Sequence, residues 1–226
     1  MSNPSASSRA APHRAVGGLA AEGLACRRGE RLLFESVGFA LPAGGLLRLV
    51  GPNGSGKSSL LRLLAGLAAP AAGVIRWGGR PIDADMDAHH RRLRFLAHLD
   101  GVKPALTVAE NLAFWARLLG APAAAAEQAL ESFDLARIAD LPARFLSAGQ
   151  RRRLALARLP LAAAALWLLD EPSTSLDSDG TERLLVAIRA HRAQGGVAVV
   201  ATHDGLALDP THELRLPVGE LVACGA

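Results

Sequence analysis

Tyrosine is absent from this sequence, and only two cysteines, Cys26 and Cys224, occur among its 226 residues. The cysteines form neither a CxxC pair nor any other spacing typical of a metal site, and no CxxCH motif for covalent haem attachment is present. We therefore expect two reduced thiols in a cytoplasmic protein.

A segment long enough to span a membrane is also lacking. The best apolar run, Leu159–Leu169, contains Pro160 and is well short of the roughly 20 residues that a helical span needs. The segment Met1–Gly18 is rich in Ser, Ala, Pro and Arg and lacks the apolar core of a secretory signal, so we predict a disordered tail over residues 1–18. A transit peptide is the alternative, because this segment contains no acidic residue. Any membrane role is expected to depend on a partner protein.

The charge balance is mildly basic, with 25 Lys and Arg against 21 Asp and Glu and a formal net charge of +4. Such an excess is found in proteins that bind nucleic acid or anionic membrane surfaces. Net charge alone does not identify a partner, and several arginines fall on predicted helix faces. Solvated surface charges are therefore the favoured interpretation, and no nucleic-acid partner is predicted.

Apolar segments of β character alternate along the chain with segments of helical period. The strand–helix–strand order at both ends predicts an α/β fold with a mostly parallel sheet core and an N-terminal antiparallel β part. We predict one domain over residues 19–226, with a helical subdomain inserted at about 104–160. Strands are predicted at Leu19–Cys26, Leu32–Leu41, Gly45–Val50, Gly73–Trp77, Leu93–His98, Ala165–Leu169 and Val197–Thr202, and helices at Ser58–Leu67, Val108–Leu119, Ala123–Phe133 and Ser178–Ala193.

A glycine-rich loop follows the third predicted strand. Residues Gly51–Ser58 read GPNGSGKS and match GxxxxGK[ST], in the strand–loop–helix context that this ATP-binding motif requires. The glycines let backbone N–H groups turn towards phosphate oxygens, and the start of the helix adds its positive dipole end. Lys57 is expected to reach the β- and γ-phosphates, and the Ser58 hydroxyl to bind Mg²⁺. The candidate nucleotide-binding residues of the loop are Gly51, Pro52, Asn53, Gly54, Ser55, Gly56, Lys57, Ser58 and Ser59.

Two adjacent acids, Asp170 and Glu171, follow the apolar segment Ala165–Leu169. We expect Asp170, at the strand tip, to hold Mg²⁺, and Glu171 to face the γ-phosphate and polarise the attacking water. Two acids at a strand end are also typical of a turn followed by a helix cap. The phosphate loop earlier in the chain favours the catalytic interpretation, with Lys57 and Glu171 as catalytic residues.

Between these two motifs, Leu146–Gln150 reads LSAGQ, and Arg151–Arg158 reads RRRLALAR. Ser147 and Gly149 stand just ahead of a helix, where a hydroxyl and backbone N–H groups can bind an anion. This segment resembles the signature motif of ABC-type ATPases, so the chain is similar to a P-loop NTPase of ABC type. The resemblance implies a head-to-tail homodimer, in which each signature contacts the γ-phosphate of ATP bound by the opposite subunit.

Other segments resemble further parts of this family. Ser175–Asp177 resembles the loop that touches the partner subunit, and His203, directly after a predicted strand, resembles the switch histidine that senses the γ-phosphate. The arginines at 151–153 are interpreted as a solvated helix face rather than a nucleic-acid patch. By resemblance, the residues outside the phosphate loop that contact nucleotide or partner are Ser147, Gly149, Gln150 and Asp177, with His203 as a third catalytic residue.

Two positions depart from the general pattern of the family. His98 stands where the resemblance places the Q-loop glutamine, and it joins Ser58 and Asp170 as a candidate metal contact. The aromatic residue that stacks on adenine is expected near Arg27–Gly29, and here Arg28 is the candidate, because a guanidinium can stack on a base.

Several features together are similar to the ATP-binding subunits of cytochrome c maturation systems. They are His98 itself, the segments Gly101–Lys103 and Leu106–Trp115, the variant signature and Leu166–Pro172. This resemblance implies a haem-transporting ATPase that powers haem export or the release of a haem-loaded carrier. It also implies two integral membrane subunits and, indirectly, haem-handling proteins as partners, with the chain peripheral at the cytoplasmic face of the bacterial inner membrane. Phe114 and Trp115 belong either to the surface that contacts the membrane subunits or to a helix core.

Three alternatives compete with this interpretation. An ABC ATPase for another cargo, such as a lipid, drug or amino acid, would share every motif, but the His98 and LSAGQR variants count against it. A soluble ABC-type ATPase acting on ribosomes or DNA usually joins two ATPase halves or inserts a long coiled coil, and the sequence has neither feature. A small-molecule kinase would share the phosphate loop but not the signature.

Overall fold

The computed structural model describes residues 17–97, 100–203 and 206–216, together with the backbone of 220–223. The predicted metal contact His98, the second cysteine, Cys224, and residues 1–16 of the predicted tail lie outside the described residues. Cys26 is buried, and burial raises the pKa of its thiol. None of the described helices is long and apolar enough to cross a bilayer.

The strands and helices have the following bounds in chain order. The strands are β1 (Leu19–Arg28), β2 (Arg31–Leu41), β3 (Leu46–Val50), β4 (Ala72–Trp77), β5 (Arg80–Pro81), β6 (Leu93–Leu96), β7 (Leu166–Asp170), β8 (Val197–Ala201), β9 (His212–Arg215) and β10 (Glu220–Ala223). The helices are α1 (Lys57–Leu64), α2 (Met86–Arg92), α3 (Val108–Leu118), α4 (Ala123–Ser132), α5 (Ala148–Leu156) and α6 (Ser178–Ala193).

The strands form two sheets. The antiparallel sheet has the order β2-β1-β4-β5, and its β1–β2 hairpin turns at Gly29, whose φ of +60° suits glycine. The second sheet has the order β10-β9-β3-β8-β7-β6, and its strands are parallel except for β10. The predicted α/β class, with a mostly parallel sheet and an N-terminal antiparallel part, is therefore confirmed.

The parallel sheet is covered by apolar side chains on both faces. Every residue of β7 and β8 is buried, as the continuous apolar runs predict. Alternate residues of β7 enter different clusters, because successive side chains of a strand point to opposite faces. Leu166 and Leu168 pack with α1 and the antiparallel sheet, whereas Trp167 and Leu169 pack with helices α3 to α6.

Four elements, α2, β5, β9 and β10, were not predicted from the sequence. Helix α2 has only seven residues, too few to display a period, and its start depends on Asp85, whose side chain accepts a hydrogen bond from the Ala88 N–H at 2.9 Å. Strand β9 is mostly polar and is defined by its parallel pairing with β3, which includes an ion pair between Arg48 and Glu213. Pairing between distant segments, rather than local pattern, creates this strand.

A buried histidine stacks on a tryptophan beneath helix α6. The rings of Trp167 and His191 are 4.1 Å apart at an angle of 7°, and His191 Nε2 donates a hydrogen bond to the Val197 carbonyl at 3.1 Å. A Cβ at Gly196 would lie 2.1 Å from the His191 ring, so glycine makes room for the stack. Burial lowers the pKa of His191 to about 4, although its hydrogen bond to Val197 acts in the opposite direction.

We expect His191 to make the protein less stable in acid. Its pKa falls from 6.5 to about 4 on folding, so the unfolded chain binds the proton more tightly and stability decreases as the pH falls from 6.5 to about 4. The full loss is about 3 kcal/mol, at 1.36 kcal/mol for each pKa unit. Urea unfolding at pH 7.5 and pH 4.5 should give a smaller loss for His191→Phe, which keeps a ring on Trp167 and cannot titrate. Equal losses in the two proteins would contradict this assignment.

Candidate nucleotide-binding and catalytic site

The phosphate loop connects the carboxyl end of β3 to the first residue of α1. Its first residue, Gly51, has a φ of +148°, and a Cβ there would lie 2.4 Å from the Leu216 carbonyl oxygen. The loop therefore requires glycine at this position, because the backbone after β9 passes directly behind it. The Leu216 N–H donates to the Val50 carbonyl at 2.9 Å and holds that backbone in place.

Lys57 lies inside the loop that precedes it. Its side chain is only 7% exposed, and Nζ donates to the Gly51 carbonyl at 2.7 Å and the Pro52 carbonyl at 3.4 Å. The same ammonium is 3.6 Å from Oε1 of Glu171. The Lys57 ammonium therefore lies between the phosphate loop and the end of β7, the strand that leads to Asp170 and Glu171.

The hydroxyl of Ser55 adds a further donor to the loop. Its Oγ is buried and has no hydrogen-bond partner among the residues that the structure describes. Burying a hydroxyl without a partner is costly, so a ligand oxygen at this point would compensate the loss of water. With the Lys57 ammonium and the positive end of α1, the loop has the donor set that phosphate oxygens require.

Glu171 is brought to Lys57 by the end of β7. Its N–H donates to the Ala201 carbonyl of the neighbouring strand at 2.9 Å, and its φ of +47° places a non-glycine residue in the left-handed region. Oε2 accepts hydrogen bonds from His203 Nδ1 at 2.7 Å and from the His203 N–H at 3.3 Å. The structure therefore brings together all three residues that the sequence predicts as catalytic.

Two of the predicted metal contacts, Ser58 and Asp170, are among the described residues, and both lie in elements that adjoin Lys57 and Glu171. Asp170 is the last residue of β7 and is buried, and Ser58 is in the first turn of α1 and exposed. Within the described ranges, no group of three His, Cys, Asp or Glu side chains is placed to hold a metal ion.

The signature segment begins α5 with a capping box. Ser147 Oγ accepts from the Gln150 N–H at 3.1 Å, and Gln150 Oε1 accepts from the Ser147 N–H at 3.0 Å. These two N–H groups are thus engaged within the helix end, but the Ser147 hydroxyl, which acts as an acceptor here, keeps its own hydrogen for another partner. A Cβ at Gly149 would lie 2.8 Å from the Ser175 carbonyl, so glycine allows this close approach.

The interpretation of three solvated arginines is wrong for Arg152. Arg151 is exposed and Arg153 pairs with Asp134, but Arg152 is 4% exposed and donates to carbonyl oxygens beside Glu171. A run of three identical residues gives no local signal of which one faces the core. The helical position alone, one turn after Gly149 and in line with buried Leu156, could have indicated burial.

The remaining predicted contacts lie at the edges of the site. Arg28 is the last residue of β1 and is exposed. The β1–β2 hairpin that carries it lies close to the phosphate loop, since a Cβ placed on Gly56 would lie 3.0 Å from the Phe34 ring. Burial raises the pKa of the Cys26 thiol, and Ser59, in the first turn of α1, acts on it in the opposite direction. Asp177 caps α6 by accepting from the Gly180 N–H at 2.7 Å.

Comparison with known proteins gives consistent similarities. Residues 34–174 match the family model described as ABC transporter. The chain is 53% identical over 197 residues to the cytochrome c biogenesis ATP-binding export protein CcmA of Rhodospirillum rubrum, covering 87% of this chain and 84% of the relative. It is 50% identical over 200 residues to CcmA of Paramagnetospirillum magneticum, covering 87% and 92%. Among solved structures, the dimeric post-hydrolysis ATP-binding cassette MJ0796 bound to ADP and Pi superposes with a TM-score of 0.79 at 25% identity, covering 91% and 98%.

Proposed function

Since this chain belongs to the ABC transporter family and, within it, to the cytochrome c biogenesis ATP-binding export proteins, we propose that it hydrolyses ATP to power haem export or the release of a haem-loaded carrier. One observation carries the catalytic part of this proposal. Lys57, Glu171 and His203, which are far apart in the sequence, converge where the phosphate loop faces the ends of β7 and β8. A phosphate-binding cation beside a carboxylate is the arrangement that phosphoryl transfer to water needs.

Each of the three residues has a distinct role. The Lys57 ammonium binds the β- and γ-phosphate oxygens and offsets charge that develops as the terminal phosphoryl group leaves. The Glu171 carboxylate orients the attacking water and accepts its proton. His203 Nδ1 donates a hydrogen bond to Oε2 of Glu171 at 2.7 Å. The His203 side chain therefore lies where it can contact a γ-phosphate bound beside Glu171.

We assign the Mg²⁺ contacts to Ser58 and Asp170. Both supply oxygen, the donor that Mg²⁺ prefers, and the ion usually takes its other positions from water and substrate phosphates. When bound, Mg²⁺ neutralises charge on the phosphates. His98 stays a candidate third contact by its position in the sequence.

We propose that two copies of the chain bind ATP head to tail. Ser147, Gly149, Gln150 and Asp177 would then contact the nucleotide or the phosphate loop of the opposite subunit. The free hydroxyl hydrogen of Ser147 at the start of α5 and the exposure of Asp177 support this arrangement. The similar structure of MJ0796 is described as dimeric. We also propose that Arg28 stacks on the adenine ring.

The proposed partners are two integral membrane subunits and, indirectly, haem-handling proteins, with the chain peripheral at the cytoplasmic face of the bacterial inner membrane. Helix α3 offers an apolar patch for such a partner, because Phe114 and Leu118 are exposed on one helix face and Lys103 lies over the Phe114 ring at 4.5 Å. Trp115, by contrast, packs against the helical core. We therefore assign Phe114 to the surface that contacts the membrane subunits and Trp115 to the helical core.

The domain limits are proposed as a tail over 1–18 and an ATPase domain over 19–226, with a helical subdomain at about 104–160. Backbone contacts at the base of α3 support the inserted subdomain. The Val108 N–H donates to the Leu141 carbonyl at 3.1 Å, and the Ala143 N–H donates to the Leu106 carbonyl at 2.9 Å. An isolated bridge between Thr107 and Pro142 joins the same two stretches.

The test is complementation of a host that lacks this gene. Haem staining of c-type cytochromes should be restored by the wild-type chain and by neither Lys57→Ala nor Glu171→Gln. Arg62→Ala, which changes an exposed residue of α1, should restore staining as well as the wild type does. Staining that survives the deletion, in a host with no second copy, would refute the haem pathway and favour an ABC ATPase for another cargo.

A further inference from the structure

Arg152 is a buried cation that bonds to three consecutive carbonyl groups of the catalytic turn. Its Nη2 donates to the carbonyl oxygens of Asp170 at 3.0 Å and Glu171 at 2.7 Å, and its Nε donates to that of Pro172 at 3.1 Å. One planar guanidinium thus holds the backbone on both sides of Glu171. A turn held at three successive points cannot shift without breaking charge-assisted hydrogen bonds in a buried place.

The turn needs such support because Glu171 has an unfavourable backbone conformation. Its φ of +47° lies in the left-handed region, which costs energy for a residue with a Cβ. The carboxylate must also lie within reach of both Lys57 and His203. Strained residues persist where the surroundings hold them in place, and the bonds from Arg152 hold the backbone of this one.

The remaining nitrogen of Arg152 bonds to a different part of the chain. Nη1 donates to Asp100 Oδ1 at 2.7 Å and to the Ala97 carbonyl at 3.4 Å. These residues follow β6 and lead towards Lys103, which lies over the exposed ring of Phe114. The same guanidinium therefore connects the segment near the proposed partner surface with the backbone of the catalytic acid.

We infer that Arg152 is a positioning residue for Glu171, and that the Asp100–Arg152 pair links residues 100–103 to the catalytic turn. The inference rests on the proposed ATPase function and extends it to a residue that bonds to the backbone of the catalytic turn. Lysine cannot replace this arginine, because an ammonium has no planar fork to span acceptors on two sides.

The first test compares Arg152→Lys with Arg153→Lys in the full-length chain. Arg153 is the next residue of the same helix and pairs with the half-exposed Asp134 at 3.0 Å, away from the catalytic turn. Arg152→Lys should lower kcat for ATP hydrolysis about 10- to 100-fold, with KM for ATP within about twofold, because a small displacement of a catalytic group has effects of this size. Arg153→Lys should leave both constants within about twofold of the wild type.

A double-mutant cycle separates positioning from general damage. If Arg152 acts through Glu171, the effect of Arg152→Lys should nearly vanish in a Glu171→Gln background, measured as slow single turnover of bound ATP. A kcat for Arg152→Lys within twofold of the wild type, or an equal fall in both backgrounds, would overturn the inference.

If Arg152→Lys does not fold, Asp100→Asn replaces it in the kcat measurement and in the double-mutant cycle. Asp100→Asn should lower kcat about threefold or more, because the neutral amide holds Arg152 less strongly than the carboxylate does. A wild-type chain without ATPase activity would instead refute the proposed function.

Discussion

Replacing Glu171 by glutamine should lower the rate of ATP hydrolysis by roughly 100-fold or more, as the loss of a general base typically does. Glutamine has nearly the same shape, and its amide oxygen can still accept the hydrogen bond from the His203 backbone, which Oε2 of Glu171 accepts at 3.3 Å. The amide cannot take a proton from water. ATP binding should therefore persist, and the closed dimer should accumulate.

Phosphate release measures the rate, fluorescent ATP binding measures the affinity, and size-exclusion chromatography with ATP detects the dimer. Glu182→Gln is a matched control, since Glu182 is an exposed acid of α6 that pairs with Arg189. It should hydrolyse ATP at the wild-type rate. Near-normal turnover by Glu171→Gln would remove Glu171 from the mechanism.

Replacing Lys57 by alanine should weaken ATP binding roughly 10- to 100-fold and abolish measurable hydrolysis. A hydrogen bond to a charged group contributes about 1.5–3 kcal/mol, and each 1.4 kcal/mol changes affinity tenfold. The effect is expected to be large because the ammonium is nearly enclosed and lies 3.6 Å from Glu171. Without it, the phosphates would approach a carboxylate that no longer has a counter-charge.

Equilibrium titration with fluorescent ATP measures this loss. Arg62→Ala removes a cation from the exposed side of the same helix and should bind ATP as the wild type does. An unchanged affinity in Lys57→Ala would show that the loop binds nucleotide through its backbone alone.

Most of the candidate site could be predicted because its residues stand at strand ends with strong local signals. An apolar strand before the loop at 51–58, and another before Asp170 and Glu171, place both motifs at the same edge of a parallel sheet. His203 follows the strand between them in the sheet, so its approach to Glu171 also follows from the strand order.

The contacts that the sequence did not reveal are made between distant elements. Arg152 looks like its two neighbours in sequence, and only the packing of α5 against the end of β7 turns it towards carbonyl oxygens. The closeness of Gly149 to Ser175 and the stack of His191 on Trp167 have the same origin. Composition does not show which carbonyl or ring of a neighbouring element such a polar group will contact.

The sheet order has a consequence for how the chain is made. Strand β3, which leads into the phosphate loop, lies between β8 and β9, and both of these are synthesised about 150 residues later, from Val197 onwards. At about 5–20 residues per second on a ribosome, β3 waits on the order of ten seconds for its neighbours. An incomplete chain therefore contains the entire phosphate-loop sequence but lacks the strands that shape it. ATP binding would then require the strands between Val197 and Arg215, so nucleotide would stabilise chains that contain them and leave chains truncated before them open to proteolysis.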